Sequence, residues 1–188
     1  MIAFTASTFA LGQTSSPSPE THSFTGTIEK VLHDFPHNLR SISGAFIVAQ
    51  AGVENYESLV EMPGSEQCYI ARYSSVEDTT ASWQARMYRD DDFKRAATHY
   101  RELYQKLKAC HLRLVDGSLI FLNGEWDAPK EENDFTMSTL RLITGDERYK
   151  EVKIDIEMLY QFPEWVININ IVSKKKDTLE GYAGSDGM

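Results

Sequence analysis

The amino-acid sequence predicts an α+β domain: an antiparallel sheet of about eight strands with two helices on one face. Three observations lead there. Two amphipathic helical patterns each open one half of the chain. Each is followed by short runs that alternate or are rich in β-branched and aromatic residues, the mark of strands. The connections between the runs are short and carry turn residues, which suits antiparallel meanders.

In order, residues 1–12 (MIAFTASTFALG) are apolar and small, and no Lys or Arg precedes Lys30. The segment is too short to span a bilayer. It matches the end of a secretory signal peptide, with Ala10-Leu11-Gly12 as the small-residue cleavage site and Gln13 as the mature N-terminus. The basic region that opens such signals is missing. Residues 13–22 are rich in Ser and Pro and read as a flexible linker. The folded domain is expected over residues 23–173. Phe24, Ile28, Val31, Leu32 and Phe35 recur at helical spacing, and Pro36 ends that helix. Strands follow at 45–49, 56–61, 67–73 and 82–89, divided by turn signals at Gly52 with Asn55 and at Met62-Pro63-Gly64-Ser65.

The second helix is the better specified. Phe93, Ala96, Ala97, Tyr100, Leu103, Tyr104, Leu107 and Cys110 share one face. Asp90, Asp91 and Asp92 stand at its positive end, with Lys106 and Lys108 at its negative end. Strands are then expected at 118–125, 135–143, 150–161 and 165–173, before a polar, Gly-rich tail over 174–188 that reads as disordered. NLRSISG (38–44) and HLRLVDG (111–117) echo each other, each following a helix and introducing strands. The order is that of a duplicated α-β-β-β-β unit, with halves at 23–90 and 91–173, although so few matches also arise by chance. A saddle-like sheet of the TATA-binding-protein type fits this order; so do helix-grip and secretion-chaperone-like folds. All are analogies of architecture.

The formal net charge of −9 argues against a general nucleic-acid binder, which needs a basic footprint. No segment reads as transmembrane. Cys68 and Cys110 are the two cysteines, and in an exported chain an even, minimal count suggests one disulfide. Two separate buried thiols are the competing reading. His33 and His37 have the spacing of a helical zinc pair, but Pro36 ends the helix between them, so no metal site is expected. Asp155 and Glu157 share a strand face with Lys153, either as acid–base carboxylates or, more simply, as a salt-bridged solvent face. There is no nucleophile elbow, phosphate-binding loop, dinucleotide fingerprint or EF-hand loop, and no cofactor is implied. Tyr69, Tyr73 and Tyr88 alternate out of phase with the core positions and form a candidate binding face.

Three stretches, DFPHNLRSISG, MPGSEQCYI and SWQARMYRDDDFKRAATHYRELYQKLKAC, lie within residues 34–110. This region resembles small exported bacterial proteins of unknown function. The resemblance covers about the first half of the chain; it implies export and an α+β fold, and no activity. The expected function is an exported, non-catalytic module that binds a protein, peptide or apolar ligand on an open sheet face. The alternative is a hydrolase-like enzyme with a site built from strand carboxylates and histidines. Oligomeric state is not legible.

Overall fold

The computed structural model describes residues 23–73 and 80–173. The expected signal remnant at 1–12, the linker at 13–22 and the tail at 174–188 lie outside the described residues. Two α-helices, α1 (Phe24–Asp34) and α2 (Phe93–Lys108), accompany nine strands. The strands are β1 (Ser43–Gln50), β2 (Val53–Ser58), β3 (Gln67–Tyr73), β4 (Ala81–Asp90), β5 (His111–Arg113), β6 (Leu119–Gly124), β7 (Phe135–Ile143), β8 (Val152–Gln161) and β9 (Glu164–Ser173). They form one antiparallel sheet in the order β1-β2-β3-β4-β9-β8-β7-β6-β5. Two meanders therefore meet at their last strands, β4 and β9. The fold is α+β with an open sheet, as the patterning predicts.

Both helices begin on side-chain caps. The Ser23 hydroxyl accepts the Gly26 N–H at 3.0 Å, and the Asp92 carboxylate accepts the Arg95 N–H at 2.8 Å. Their apolar stripes then enter one core: Ile28, Val31 and Leu32 from α1, and Ala96, Tyr100 and Leu107 from α2, are fully buried. They meet the sheet face carrying Trp83, Leu140, Ile154, Ile156, Ile169 and Ile171. Tyr100 fixes α2 to β7 through its hydroxyl, which lies 2.8 Å from Ser138 Oγ. Of the core-facing residues predicted for the helices, Phe24, Ile28, Val31, Leu32, Ala96, Tyr100, Tyr104, Leu107 and Cys110 are buried, Phe35, Phe93, Ala97 and Leu103 are partly buried against them, and Thr27 and Asp34 are buried beyond the prediction.

Local differences from the sequence expectation have local causes. β2 ends at Ser58, earlier than expected, because its hydroxyl donates to the Val60 carbonyl and accepts the Val60 N–H, closing a turn. The β1–β2 hairpin turns on Ala51 (φ 50°) and Gly52 (φ 79°), a two-residue loop rather than one reaching Asn55. The three-residue β5 adds a strand to the expected count. The echoed motifs differ in conformation. Leu39 sits at φ 54° in a loop that Asp34 ties down by accepting the Ser41 and Ile42 N–H groups, while Leu112 lies in β5.

Among the described residues, no helix is long and apolar enough to cross a membrane. The expected Cys68–Cys110 disulfide finds no support, since both are free thiols. Cys68 Sγ accepts the Met62 N–H at 3.3 Å, and Cys110 Sγ faces the Lys106 carbonyl at 3.2 Å and Thr25 Oγ1 at 3.5 Å. Spacing in sequence says nothing about whether two Cβ vectors meet, and here the two thiols occupy different neighbourhoods.

Candidate functional site

Because side chains alternate, burying Trp83, Ile169 and Ile154 against the helices turns their neighbours to the other face. The pairing register places those neighbours in rows. One row reads Tyr69, Gln84, Asn170, Asp155 and Thr139 across β3, β4, β9, β8 and β7. The next reads Gln67, Arg86, Asn168, Glu157 and Met137. A third carries Ala71, Ser82, Val172, Lys153 and Arg141. Both helices pack on the opposite face, so the centre of this one is polar and carries no described helix.

The stripe is nonetheless shielded. Asp155 is 4% exposed and Asn170 is 7% exposed, being short side chains among longer ones. Asp155 accepts a hydrogen bond from Thr139 Oγ1 at 2.6 Å and an ion-paired one from Lys153 Nζ at 2.7 Å. Burial raises the Glu157 pKa above its ordinary value, while a hydrogen bond from Asn170 lowers it and the Asp155 charge raises it further. Burial likewise raises the pKa of the Tyr69 phenol, whose hydroxyl donates to Gln84 Oε1. Two atoms here stand out: Arg86 Nε and Asn170 Oδ1 are buried and have no hydrogen-bond partner. Such atoms are costly unless something else meets them.

Toward β6 the stripe opens into a groove of about 620 Å³, lined by Asn123, Trp126, Met137, Thr139, Arg141 and Ile143, among others. Gly124 forms part of its wall and admits no side chain, since a Cβ there would stand 1.9 Å from the Thr139 carbonyl oxygen. Beyond Arg141 the face turns apolar, with Phe121 and Ile143 paired and both more than half exposed.

The predicted tyrosine face is divided. Tyr69 lies on the uncovered face, and Tyr73, two residues on in β3, lies on the same side at its exposed end. Tyr88 does not join them. A β-bulge between Arg86 and Tyr88 inserts one residue, so Arg86 pairs with Asn168 but Tyr88 pairs with Ile167. The slip turns Tyr88 to the helix side, where its ring stacks on His99 at 3.8 Å and its hydroxyl donates to Asp90 at 2.6 Å. His33 and His37 also part. His33 Nε2 lies 2.9 Å from the Arg113 carbonyl, and His37 lies 3.7 Å from Asp34. Among the described residues, no three His, Cys, Asp or Glu groups gather as metal ligands.

Sequence reasoning placed Lys153, Asp155 and Glu157 on one face but missed Arg86, Asn168 and Asn170 as members of the same stripe. A signal was present. Two asparagines interrupt a run of Ile and Val, where a strand buried on both faces would carry none. Comparisons with family models, curated proteins and solved structures find no match.

Proposed function

We propose that the protein is an exported, non-catalytic binding module whose ligand lies on the uncovered face of β3, β4, β9, β8 and β7. The observation that carries this reading is the pair of buried, unpartnered polar atoms, Arg86 Nε and Asn170 Oδ1, at the centre of that face. Buried polar groups are normally satisfied; both atoms are covered by neighbouring side chains, so a ligand that parts those side chains and meets them would remove a standing penalty. The groove toward β6 and the apolar Phe121–Ile143 patch supply room and contact area. A wholly apolar ligand would leave the polar centre unmet, so the ligand or peptide is one with hydrogen-bonding groups. The test is to extract small molecules from protein purified out of its native compartment and return them to the apo chain. Backbone amide signals of β4, β8 and β9 should move. Signals that move only on the helices would refute the site.

Export rests on the small, apolar residues 1–12 and on the resemblance of residues 34–110 to small exported bacterial proteins. With both thiols free, the cysteines lend it no weight. A mature chain beginning at Gln13 supports export, and an uncleaved Met1 recovered from the cytosol refutes it.

One observation favours the second reading, a hydrolase-like enzyme. The raised pKa of Glu157, one strand position-pair from Asp155, is the direction a general acid requires. Against it, Asp155 is engaged by Lys153 and Thr139, and no histidine shares the rows of Glu157 and Asp155. Loss of a measured hydrolytic activity in Glu157→Gln with ligand binding intact would favour the enzyme.

A further inference from the structure

The two edges of the sheet are not alike. A free strand edge offers unpaired N–H and C=O groups to any strand that approaches, so proteins cover such edges or guard them with charge, proline or bulges. β5, at one edge, is covered by α1. Glu29 and His33, one turn apart on that helix, hold both backbone polar groups of Arg113: Glu29 Oε1 accepts its N–H at 2.7 Å, and His33 Nε2 lies 2.9 Å from its carbonyl oxygen. β1, at the other edge, has no such cover among the described residues. Every residue from Ala45 to Gln50 is exposed, Phe46, Ile47 and Val48 included. Residues 41–53 (SISGAFIVAQAGV) contain neither charge nor proline. Two bulges, one before Phe46 and one between Phe46 and Val48, are the guard that remains. They bend the strand and shorten the run that another can pair with, but they leave the edge open.

Charge selects the occupant of this edge. The chain carries a formal net charge of −9, so two copies repel over most approaches. The uncharged edge of β1 is where they can meet without opposing like charges. A basic partner would find no carboxylate on the strand to draw it there. The ends of the strand are complementary as well. Arg40 precedes the start of β1, and Glu54 pairs with Ala49 at its far end. Antiparallel alignment with a second β1 sets Arg40 of each copy at the Glu54 end of the other, which brings opposite charges together at both ends. Parallel alignment would bring like charges together instead.

We propose that β1 is the contact through which two copies of this chain associate, antiparallel and edge to edge about a two-fold axis. Such a contact is isologous, with the same patch on both copies, and Phe46 and Ile47 lie near its axis. An edge of eight residues with two bulges buries less than the roughly 800 Å² per partner of a standard interface, so the dimer is reversible and depends on concentration. This contact is independent of the ligand site, which lies at the centre of the sheet.

The test is sedimentation velocity of the full chain over a dilution series, with amide exchange measured at both ends of the series. The mass should rise from monomer toward dimer with concentration, and amides within residues 45–49 should gain protection as it does. Ile47→Lys and Ile47→Glu should each stay monomeric, because each sets like charges near the axis. Mixed together they should form a one-to-one dimer, a rescue that two unfolded variants could not give. Phe121→Lys, in the exposed apolar patch near the other edge, should leave the dimer intact. A wild-type chain that is monomeric at its highest soluble concentration would overturn the proposal. So would a dimer that survives Ile47→Lys but is lost in Phe121→Lys, or a mixture of the two Ile47 variants that stays monomeric.

Discussion

Replacing Lys153 with methionine isolates the electrostatics of the stripe. Met keeps most of the apolar stem and removes the ammonium. In the native protein Lys153 Nζ lies 2.7 Å from Asp155, whose side chain is 6% exposed, while that of Lys153 is 20% exposed. Water cannot take over the role of the ammonium at such a carboxylate. Removing one member of a buried pair costs about 3–5 kcal/mol, against at most about 1 kcal/mol for an exposed pair. The partial exposure of Lys153 puts the expected loss near the lower end, about 3 kcal/mol. For a chain of this size that lowers the melting temperature by about 6–12 °C. Adding Asp155→Asn to Lys153→Met should recover most of the loss, because a neutral amide leaves no uncompensated charge and can still accept from Thr139. Urea unfolding of the wild type, both single variants and the double variant closes the cycle. If Lys153→Met costs no more than about 1 kcal/mol, or if Asp155→Asn fails to rescue it, the stripe is an ordinary solvated surface.

Four further outcomes follow from the same structure. Tyr100→Phe should cost about 1 kcal/mol in denaturant unfolding, since it removes the hydroxyl that donates to the buried Ser138 Oγ at 2.8 Å, while the Asp127 N–H still reaches that oxygen at 2.9 Å. Gly124→Ala should cost about 3 kcal/mol or more and speed amide exchange in β6 and β7, because its Cβ meets the Thr139 carbonyl; Gly145→Ala, with open space around it, should stay within about 0.5 kcal/mol. The folded-state pKa of Glu157 is raised, so the native state holds its proton longer than the unfolded chain does. Stability should therefore fall as pH rises from the ordinary glutamate value of 4.5 through the higher folded value, and Glu157→Gln should flatten that slope in unfolding measured across the window. Intact mass should not change on reduction, and both thiols should react slowly until the chain unfolds, because burial raises the pKa of Cys68 and of Cys110.

Much of the fold is legible in the sequence because it rests on periodicity. Tyr100 and Leu107 announce the buried face of α2, and the alternation of Trp83 and Ala85 with Gln84 and Arg86 assigns each to a sheet face. Other features escape because they are too short or too local for any period. β5 has three residues, and the bulge beside Met87 adds a single one, yet that one sends Tyr88 to the opposite side from Tyr69. The shielding of Asp155 was hidden for another reason. It is produced by Lys153, Glu157, Thr139 and Asn170 closing round it, and half of those come from other strands.

The amino-acid sequence alone determined the class of fold, the helix faces, the approximate strands and the absence of familiar catalytic motifs, since each is set by neighbours along the chain. Tertiary structure decided that β4 pairs with β9, that the cysteines stay apart, and that Arg86 and Asn170 share a polar stripe with Glu157. Those outcomes depend on strand pairing across residues distant in sequence. Local preference does not specify such pairings, because they are selected by the free energy of the whole core.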